Sequence, residues 1–118
     1  MKHSTGKPTK AQQDRLDEIH AMPCMCCVKE KVPQPLPTEA HHLVDKGYRI
    51  HSGGHDATIP ICGWHHEGAL LYPLSQREMR LIYGPSLKLH KREFKNVYGT
   101  ERELLAEVDE RLAKRVAA

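Results

Sequence analysis

Cysteine and histidine residues carry the main chemical signal in this sequence of 118 residues, which contains four cysteines and nine histidines. Two pairs share the same spacing, Cys24-x-x-Cys27 and Cys62-x-x-His65. A structural zinc ion takes four thiolate or imidazole ligands in a tetrahedral arrangement, and two such pairs supply them. The spacing therefore predicts one structural zinc site.

Cys26 is left outside this scheme. Either it is a buried thiol, or Cys24 and Cys26 form the true pair of the first half-site. The alternative to metal binding is that all four cysteines are small buried hydrophobic side chains. Two separated pairs with matching spacing favour the metal site.

The histidines predict a second, catalytic centre. Six of them fall between positions 41 and 66: His41, His42, His51, His55, His65 and His66. Adjacent residues of a strand face opposite ways, so His41 and His42 cannot easily bind the same ion. One can bind a metal while the other accepts a proton, as phosphodiester hydrolysis requires. His66 points to a different side of its helix from His65, so we expect these two rings to serve separate ions.

Basic residues are concentrated between positions 77 and 95 of a chain whose formal net charge is +3. Six cations oppose only Glu78 and Glu93 there, for a local charge of +4. This pattern is typical of a surface that binds a polyanion, and also of solvated helix faces. If the polyanion is DNA, the residues that would bind its backbone are Arg77, Arg80, Lys88, Lys91, Arg92 and Lys95. His51 and His90 are expected to be solvated loop and surface residues.

The elements that position these residues indicate an α+β protein. A helix capped by Thr9 runs to about residue 21, "CMCC" forms a knuckle, and residues 39–44 and 57–61 are short strands. A long loop joins the strands, and a short helix follows over residues 62–70. Together they give a small ββα-metal core over about residues 38–70 with a zinc knuckle. Flanking helices cover about residues 75–116, two of them started by capping boxes at Ser75 and Thr100.

The domain organisation follows from the same pattern. Residues 1–8 are predicted to be a disordered basic arm, and residues 9–118 a single domain. The sequence contains no apolar run long enough to span a bilayer and no secretion signal, so a cytoplasmic location is expected and no membrane partner. In a reducing compartment, the cysteine spacing indicates metal rather than disulfides.

The motifs resemble those of a known nuclease superfamily. "CMCC", "EAHHLV" and "ATIPICGWHHEG" look like the ββα-metal core of the HNH endonucleases. More narrowly, "GHDATIPICGWHHEG" followed by "GPSLKLHKREFKNVYGTERELL" resembles the phage recombination enhancement function nucleases. The similarity covers about residues 20–110, and it implies that residues 9–118 form an HNH-type nuclease domain.

The resemblance implies specific roles for the site residues. His41 and His66 become ligands of a catalytic divalent metal (Mg, Mn or Zn), and His42 becomes the general base. The structural zinc is then bound by Cys24, Cys27, Cys62 and His65, with His65 where many relatives have cysteine.

One residue of the superfamily pattern is missing. Its asparagine, which holds the base imidazole in position, would fall at Ala57, and the only asparagine here is Asn96. His55 or Asp56 must substitute, as the third metal ligand or as the orienting group. Of these roles, the sequence interpretation favours His55 as a metal ligand.

The resemblance also implies a biological setting. Members of this family act on DNA in dependence on the RecA filament, so the expected partners are single-stranded or recombination-intermediate DNA and RecA. The expected function is a metal-dependent DNA endonuclease. The alternatives are a zinc-stabilised nucleic-acid-binding module without catalysis, and a metal-sensing or scaffolding protein that uses the histidine-rich loop.

Overall fold

Three threonine or serine residues, each followed three positions later by glutamine or glutamate, start helices in this chain. In each pair the hydroxyl accepts a hydrogen bond from one backbone N–H, and the longer side chain returns a bond to the capping residue. The pairs are Thr9 with Gln12, Ser75 with Glu78, and Thr100 with Glu103. The helix starts predicted at all three positions are confirmed, because these bonds satisfy N–H groups that a helix leaves unpaired.

The computed structural model describes residues 5–117, with side chains as far as Arg115. Over this range the elements are α1 (Lys10–Ala21), α2 (Met25–Glu30), β1 (Thr38–His42), β2 (Thr58–Cys62), α3 (Gly63–Glu67), α4 (Gln76–Tyr83), α5 (Lys91–Tyr98) and α6 (Glu101–Ala117). Two single-turn 3-10 helices, Ile50–Ser52 and Gly54–Asp56, lie in the loop between the strands. The predicted α+β class is confirmed.

Two elements differ from the sequence prediction. The predicted cysteine knuckle is the short helix α2, which begins directly after its N-cap residue, Cys24. The helix predicted from about residue 87 begins at Lys91, because the backbone N–H of Leu87 donates to the carbonyl of His65. That bond holds residues 86 and 87 against α3 and delays the helix by one turn.

The two strands form an antiparallel sheet in which His41 pairs with Ile59 and His42 with Thr58. Side chains of adjacent strand residues point to opposite faces. His41 is buried and His42 is half-buried, on opposite sides of β1. Every residue of β2 is buried, since helices cover the sheet. The sheet therefore separates the two neighbouring imidazoles as predicted.

The core lies between the sheet and the C-terminal helices. Its largest fully buried side chains include Trp64 of α3, Phe94 of α5 and Leu104 of α6. The indole N–H of Trp64 donates to the carbonyl of Gly84, 2.9 Å away, and ties α3 to the end of α4. The apolar stripe predicted on α6 is buried at Leu104, Leu105 and Val108 and partly buried at Leu112; the side chain of Val116 lies outside the described residues.

None of the helices between residues 5 and 117 combines the length and apolarity that crossing a bilayer requires.

Arg15 connects three elements from a largely buried position. Its guanidinium donates to the hydroxyl and the carbonyl of Thr58 at 3.0 and 2.9 Å, and it pairs with Asp109 at 2.9 Å. The Arg15 side chain is 17% exposed. These bonds join α1 to β2 and α6, and so fix the strand that leads into the cysteine site.

Replacing Arg15 by alanine should lower the free energy of unfolding by about 2 kcal/mol, because charge-assisted bonds to partly buried groups are lost. Urea denaturation measures this change. Lys10→Ala on the same helix removes an exposed ion pair with Asp14 and should leave the midpoint unchanged. Equal destabilisation by both variants would contradict the role given to Arg15.

Candidate functional site

Three elements bring the four predicted zinc ligands together. Cys24 and Cys27 belong to the N-terminal turn of α2, Cys62 ends β2, and His65 lies on α3. All four are buried, and their ligand atoms lie within 4.8 Å of one another. This cluster could hold a structural metal such as zinc.

The distances within the cluster match those of a tetrahedral site. The His65 Nδ1 atom lies 3.5, 3.6 and 3.4 Å from the sulfur atoms of Cys24, Cys27 and Cys62. The sulfur atoms of Cys27 and Cys62 are 3.9 Å apart. Bond lengths of about 2.3 Å to sulfur and about 2.0 Å to nitrogen put tetrahedral ligand atoms about 3.5–3.8 Å apart. The donor set and its spacing therefore fit zinc.

Hydrogen bonds select the nitrogen of His65 that faces this cluster. Its Nε2 atom donates to the carbonyl of Tyr83 at 2.7 Å and lies 3.3 Å from the Tyr98 hydroxyl, which itself donates to Glu30. In the neutral ring the proton is thus on Nε2, and the lone pair of Nδ1 points at the three sulfur atoms. A metal-binding histidine needs an orienting partner of this kind.

Cys26 is buried beside the cluster and is not one of its four members. Hydrogen bonds from the thiols of Cys26, Cys27 and Cys62 outweigh burial and hold the pKa of Cys24 well below its usual range. Burial raises the pKa of the Cys26 thiol. Of the two first pairs that the sequence left open, the structure brings Cys24 and Cys27 to Cys62 and His65.

His41 and His66 form a second pair on the other side of the α3 turn. Their ring centroids are 4.8 Å apart. His41 Nε2 lies 3.0 Å from a carboxylate oxygen of Glu101, and His66 Nδ1 lies 2.7 Å from Glu39. A carboxylate only accepts, so each of these nitrogens carries a proton and the other nitrogen of each neutral ring keeps its lone pair.

Oxygen ligands lie next to His66. The ligand atoms of Glu39, His66 and Glu67 lie within 4.8 Å of one another, and they form a second possible metal group among the described residues. Metal-binding imidazoles commonly donate their other N–H to a carboxylate, as His66 does to Glu39. The adjacent rings of His65 and His66 thus face different groups.

His42 contacts His55 from the opposite face of β1, yet His41 and His66 are still close enough to lower its pKa. Its Nε2 atom lies 2.9 Å from His55 Nδ1, and His55 Nε2 donates to the carbonyl of Gly6 at 2.8 Å. Because a carbonyl only accepts, Nδ1 of a neutral His55 must accept from His42 Nε2–H, which leaves His42 Nδ1 unprotonated. Burial, the Arg49 guanidinium and neighbouring imidazoles lower the pKa of His42 to about 4. His42 is therefore neutral near pH 7.

The structure does not bring His55 into the His41–His66 pair as a third ligand, because both of its ring nitrogens are engaged by His42 and Gly6. Asp56 is exposed and accepts a hydrogen bond from Gln12, so it faces α1 and not the histidines. The bond to Gly6 falls within the arm predicted to be disordered, of which residues 1–4 lie outside the described residues.

The predicted DNA-binding residues fall into two places. Lys88 and Lys91 line a groove of about 260 Å³ with His41, His66 and Glu101. Lys91 also lines a neighbouring groove of about 610 Å³ with Arg92 and Lys95. Arg77 and Arg80 line a separate groove along α4, where Arg80 is paired with Glu93.

Comparison with protein families supports a nuclease. The family described as "recombination enhancement, RecA-dependent nuclease" matches residues 8–113. The chain belongs to this family. The family assignment makes it a nuclease and relates it to DNA and RecA. No solved structure matches the chain.

Sequence reasoning missed two residues of this nuclease, Glu39 and Glu101. Glu101 starts α6, and its carboxylate accepts from both His41 and the backbone N–H of Val44. The His41 hydrogen bond lowers the pKa of Glu101 against the opposing effect of burial, so the carboxylate stays ionised. The available signals were the glutamate two residues before His41 and the "YGTE" segment that ends at Glu101.

Replacing Cys27 by alanine should abolish stoichiometric metal binding and lower the melting temperature, because metal binding at a structural site contributes folding free energy. Cys26→Ala is the matched control: this buried thiol is not in the tetrad, so the variant should keep one metal ion per chain. Elemental analysis and thermal unfolding of both variants provide the measurement. Equal metal loss from the two variants would contradict the assigned ligand set.

Proposed function

We propose that this chain is a metal-dependent DNA endonuclease of the HNH type, which hydrolyses phosphodiester bonds in single-stranded or recombination-intermediate DNA together with RecA. The family supports a RecA-related nuclease. The succession of β1, β2 and α3 has the order of a ββα-metal core. We infer that residues 9–118 form one nuclease domain around it.

The observation that carries this proposal is the arrangement of three histidines around the strand β1. His41 and His66 are paired at 4.8 Å, and each is held by a carboxylate. His42, on the opposite face, keeps an unprotonated Nδ1 and a lowered pKa. A structural metal site alone does not require such a set.

His41 and His66 would bind the catalytic cation. Their N–H groups are committed to Glu101 and Glu39, so the lone pairs of the remaining nitrogens are the free donors of this pair. Glu67 supplies a nearby oxygen atom. A divalent cation bound here would contribute positive charge to stabilise the scissile phosphate.

His42 would act as the general base. Its Nδ1 atom accepts the proton of the attacking water, and the neutral ring is available near pH 7 because its pKa is about 4. Lys88 and Lys91 border the groove beside His41 and His66, where they would contact the phosphates that flank the cleaved bond.

His55 would hold this base in place, which is the role of the asparagine in the HNH superfamily that this sequence resembles. His55 Nδ1 accepts from His42 Nε2–H. The Oδ1 atom of an asparagine is separated from its Cα by the same number of bonds as Nδ1 of a histidine. His55 can therefore replace asparagine as the acceptor, although it precedes Ala57 by two residues.

His42→Ala should reduce DNA cleavage by a factor of about 10²–10⁴, the usual contribution of a general base. The assay uses single-stranded and strand-invaded DNA, with and without a RecA filament, across added Mg²⁺, Mn²⁺ and Zn²⁺. His20→Ala, which removes an exposed histidine of α1, should cut like the parent.

Three results of that assay would count against the proposal. Cleavage by His42→Ala at the parent rate would show that the assigned base is wrong. Cleavage without any divalent cation would show that the reaction does not require a metal ion. DNA binding without cleavage under every cation would favour the zinc-stabilised binding module.

His55→Asn should retain cleavage within a few-fold of the parent, whereas His55→Leu should lower kcat by about 10–100-fold, the usual effect of losing an orienting partner. KM for DNA should change little in either variant, because His55 orients the base and does not contact the substrate. Steady-state cleavage kinetics measure both constants. Equal losses of kcat in the two variants would show that catalysis does not depend on the hydrogen-bond acceptor at His55 Nδ1.

A further inference from the structure

The loop between β1 and β2 exposes aromatic, aliphatic and basic side chains together. Tyr48 and Ile50 are 48% and 50% exposed. Lys46, Arg49 and His51 are exposed beside them. The Tyr48 and His51 rings are in contact, with centroids 5.8 Å apart. The endonuclease mechanism above assigns none of these five side chains a contact with the substrate.

Hydrogen bonds hold this loop in a defined shape. Arg102 of α6 binds Asp45 through two nitrogens, at 3.0 and 2.7 Å, and reaches the carbonyl of Ser52 at 3.2 Å. The buried hydroxyl of Ser52 accepts from the backbone N–H of Lys46. Both ends of the segment are thus fixed, and the Tyr48–His51 pair lies between them.

The loop borders the proposed active site. It begins directly after His42, at the end of β1, and it contains His55, which contacts His42. The guanidinium of Arg49 is close enough to help lower the pKa of His42. Val44 and Asp45, near the start of the loop, line the same groove as Lys91, Arg92 and Lys95. A strand lying in that groove would therefore reach the loop.

We propose that residues 46–51 form a recognition surface for unpaired DNA, in which a base next to the cleaved bond stacks on the Tyr48–His51 pair. This inference rests on the proposed DNA substrate and specifies its strand state. Lys46 and Arg49 contact the adjacent phosphates. Stacking on an aromatic side chain needs an accessible base face, which a single strand offers and an intact duplex hides. The basic neighbours match a polyanion.

Tyr48→Ala should weaken binding to a fluorescein-labelled 20-nucleotide single strand by about tenfold, the effect expected from losing one base–aromatic stack. Its affinity for the duplex of the same length should stay within about twofold, since the bases of a duplex do not reach the ring. The measurement is fluorescence anisotropy with the full chain, whose structural metal site is loaded. No further divalent cation is added, so that binding is measured without cleavage.

Two variants control for the ring and for tyrosine loss in general. Tyr48→Phe keeps the stacking face and should bind like the parent. Tyr72→Ala removes a 92% exposed tyrosine outside the loop and should also bind both DNAs like the parent. Unchanged single-strand affinity of Tyr48→Ala, or equal losses on both DNAs, would overturn the inference.

The result is separable from the endonuclease proposal. Metal-dependent cleavage combined with a Tyr48→Ala variant that binds normally would overturn only the role of the loop. A Tyr48-dependent preference for single strands in a chain that never cleaves DNA would overturn only the catalytic proposal. Metal content and circular dichroism of each variant verify that the fold is intact.

Discussion

The lone pair on Nδ1 of His65 is the feature on which the site depends. In the neutral ring it is available because Nε2 keeps its proton and donates it in a hydrogen bond to the Tyr83 carbonyl. It completes a tetrad with three sulfur atoms from α2 and β2. The tetrad joins two elements whose own lengths, six and five residues, would not make them stable alone. It also fixes α3, and through α3 the direction in which His66 points. A metal in this cluster would thus set the geometry of a second site in which it takes no part.

The C-terminal helices supply side chains that hold the histidine pair and the loop, and basic residues that line the groove. α6 delivers Glu101 to His41 and Arg102 to the loop, while α5 contributes basic residues to the adjoining groove. Gly84, at the end of α4, has a φ of +91° and lies so close to Glu30 and Tyr98 that an added Cβ would meet their side-chain oxygens at 2.2 Å. Any other residue would be strained by this positive φ and would displace those oxygen atoms, which lie beside the carbonyl that receives the Trp64 indole. The segment "GPSLKLHKREFKNVYGTERELL", which begins at Gly84, therefore helps to support the site.

The cysteine site could be predicted from the sequence because each half is local. Two ligands three positions apart fit a single turn, and only the approach of the two halves depends on the fold. The capping boxes were predictable for the same reason. The opposite orientations of His41 and His42 followed from the alternation of a strand.

The rest of the site depends on contacts between distant residues. Glu101 is sixty positions from His41, and no local pattern announces that an ionised carboxylate at a helix start will reach a buried imidazole. His55 was favoured as a ligand because counting histidines gave no other third donor. Its hydrogen bonds to His42 and Gly6 depend on how the loop and the N-terminal segment cross, which spacing does not encode.

The pairing of His41 with Ile59 and His42 with Thr58 carries one more consequence. In a sheet of two strands, shifting the alignment by a single position sends every side chain to the other face. A one-residue insertion within Thr38–Ala40 would exchange the two imidazoles, and the ring meant to receive protons would meet Glu101 in place of its neighbour. The chemistry of this surface therefore depends on the number of residues in β1 as well as on their identity.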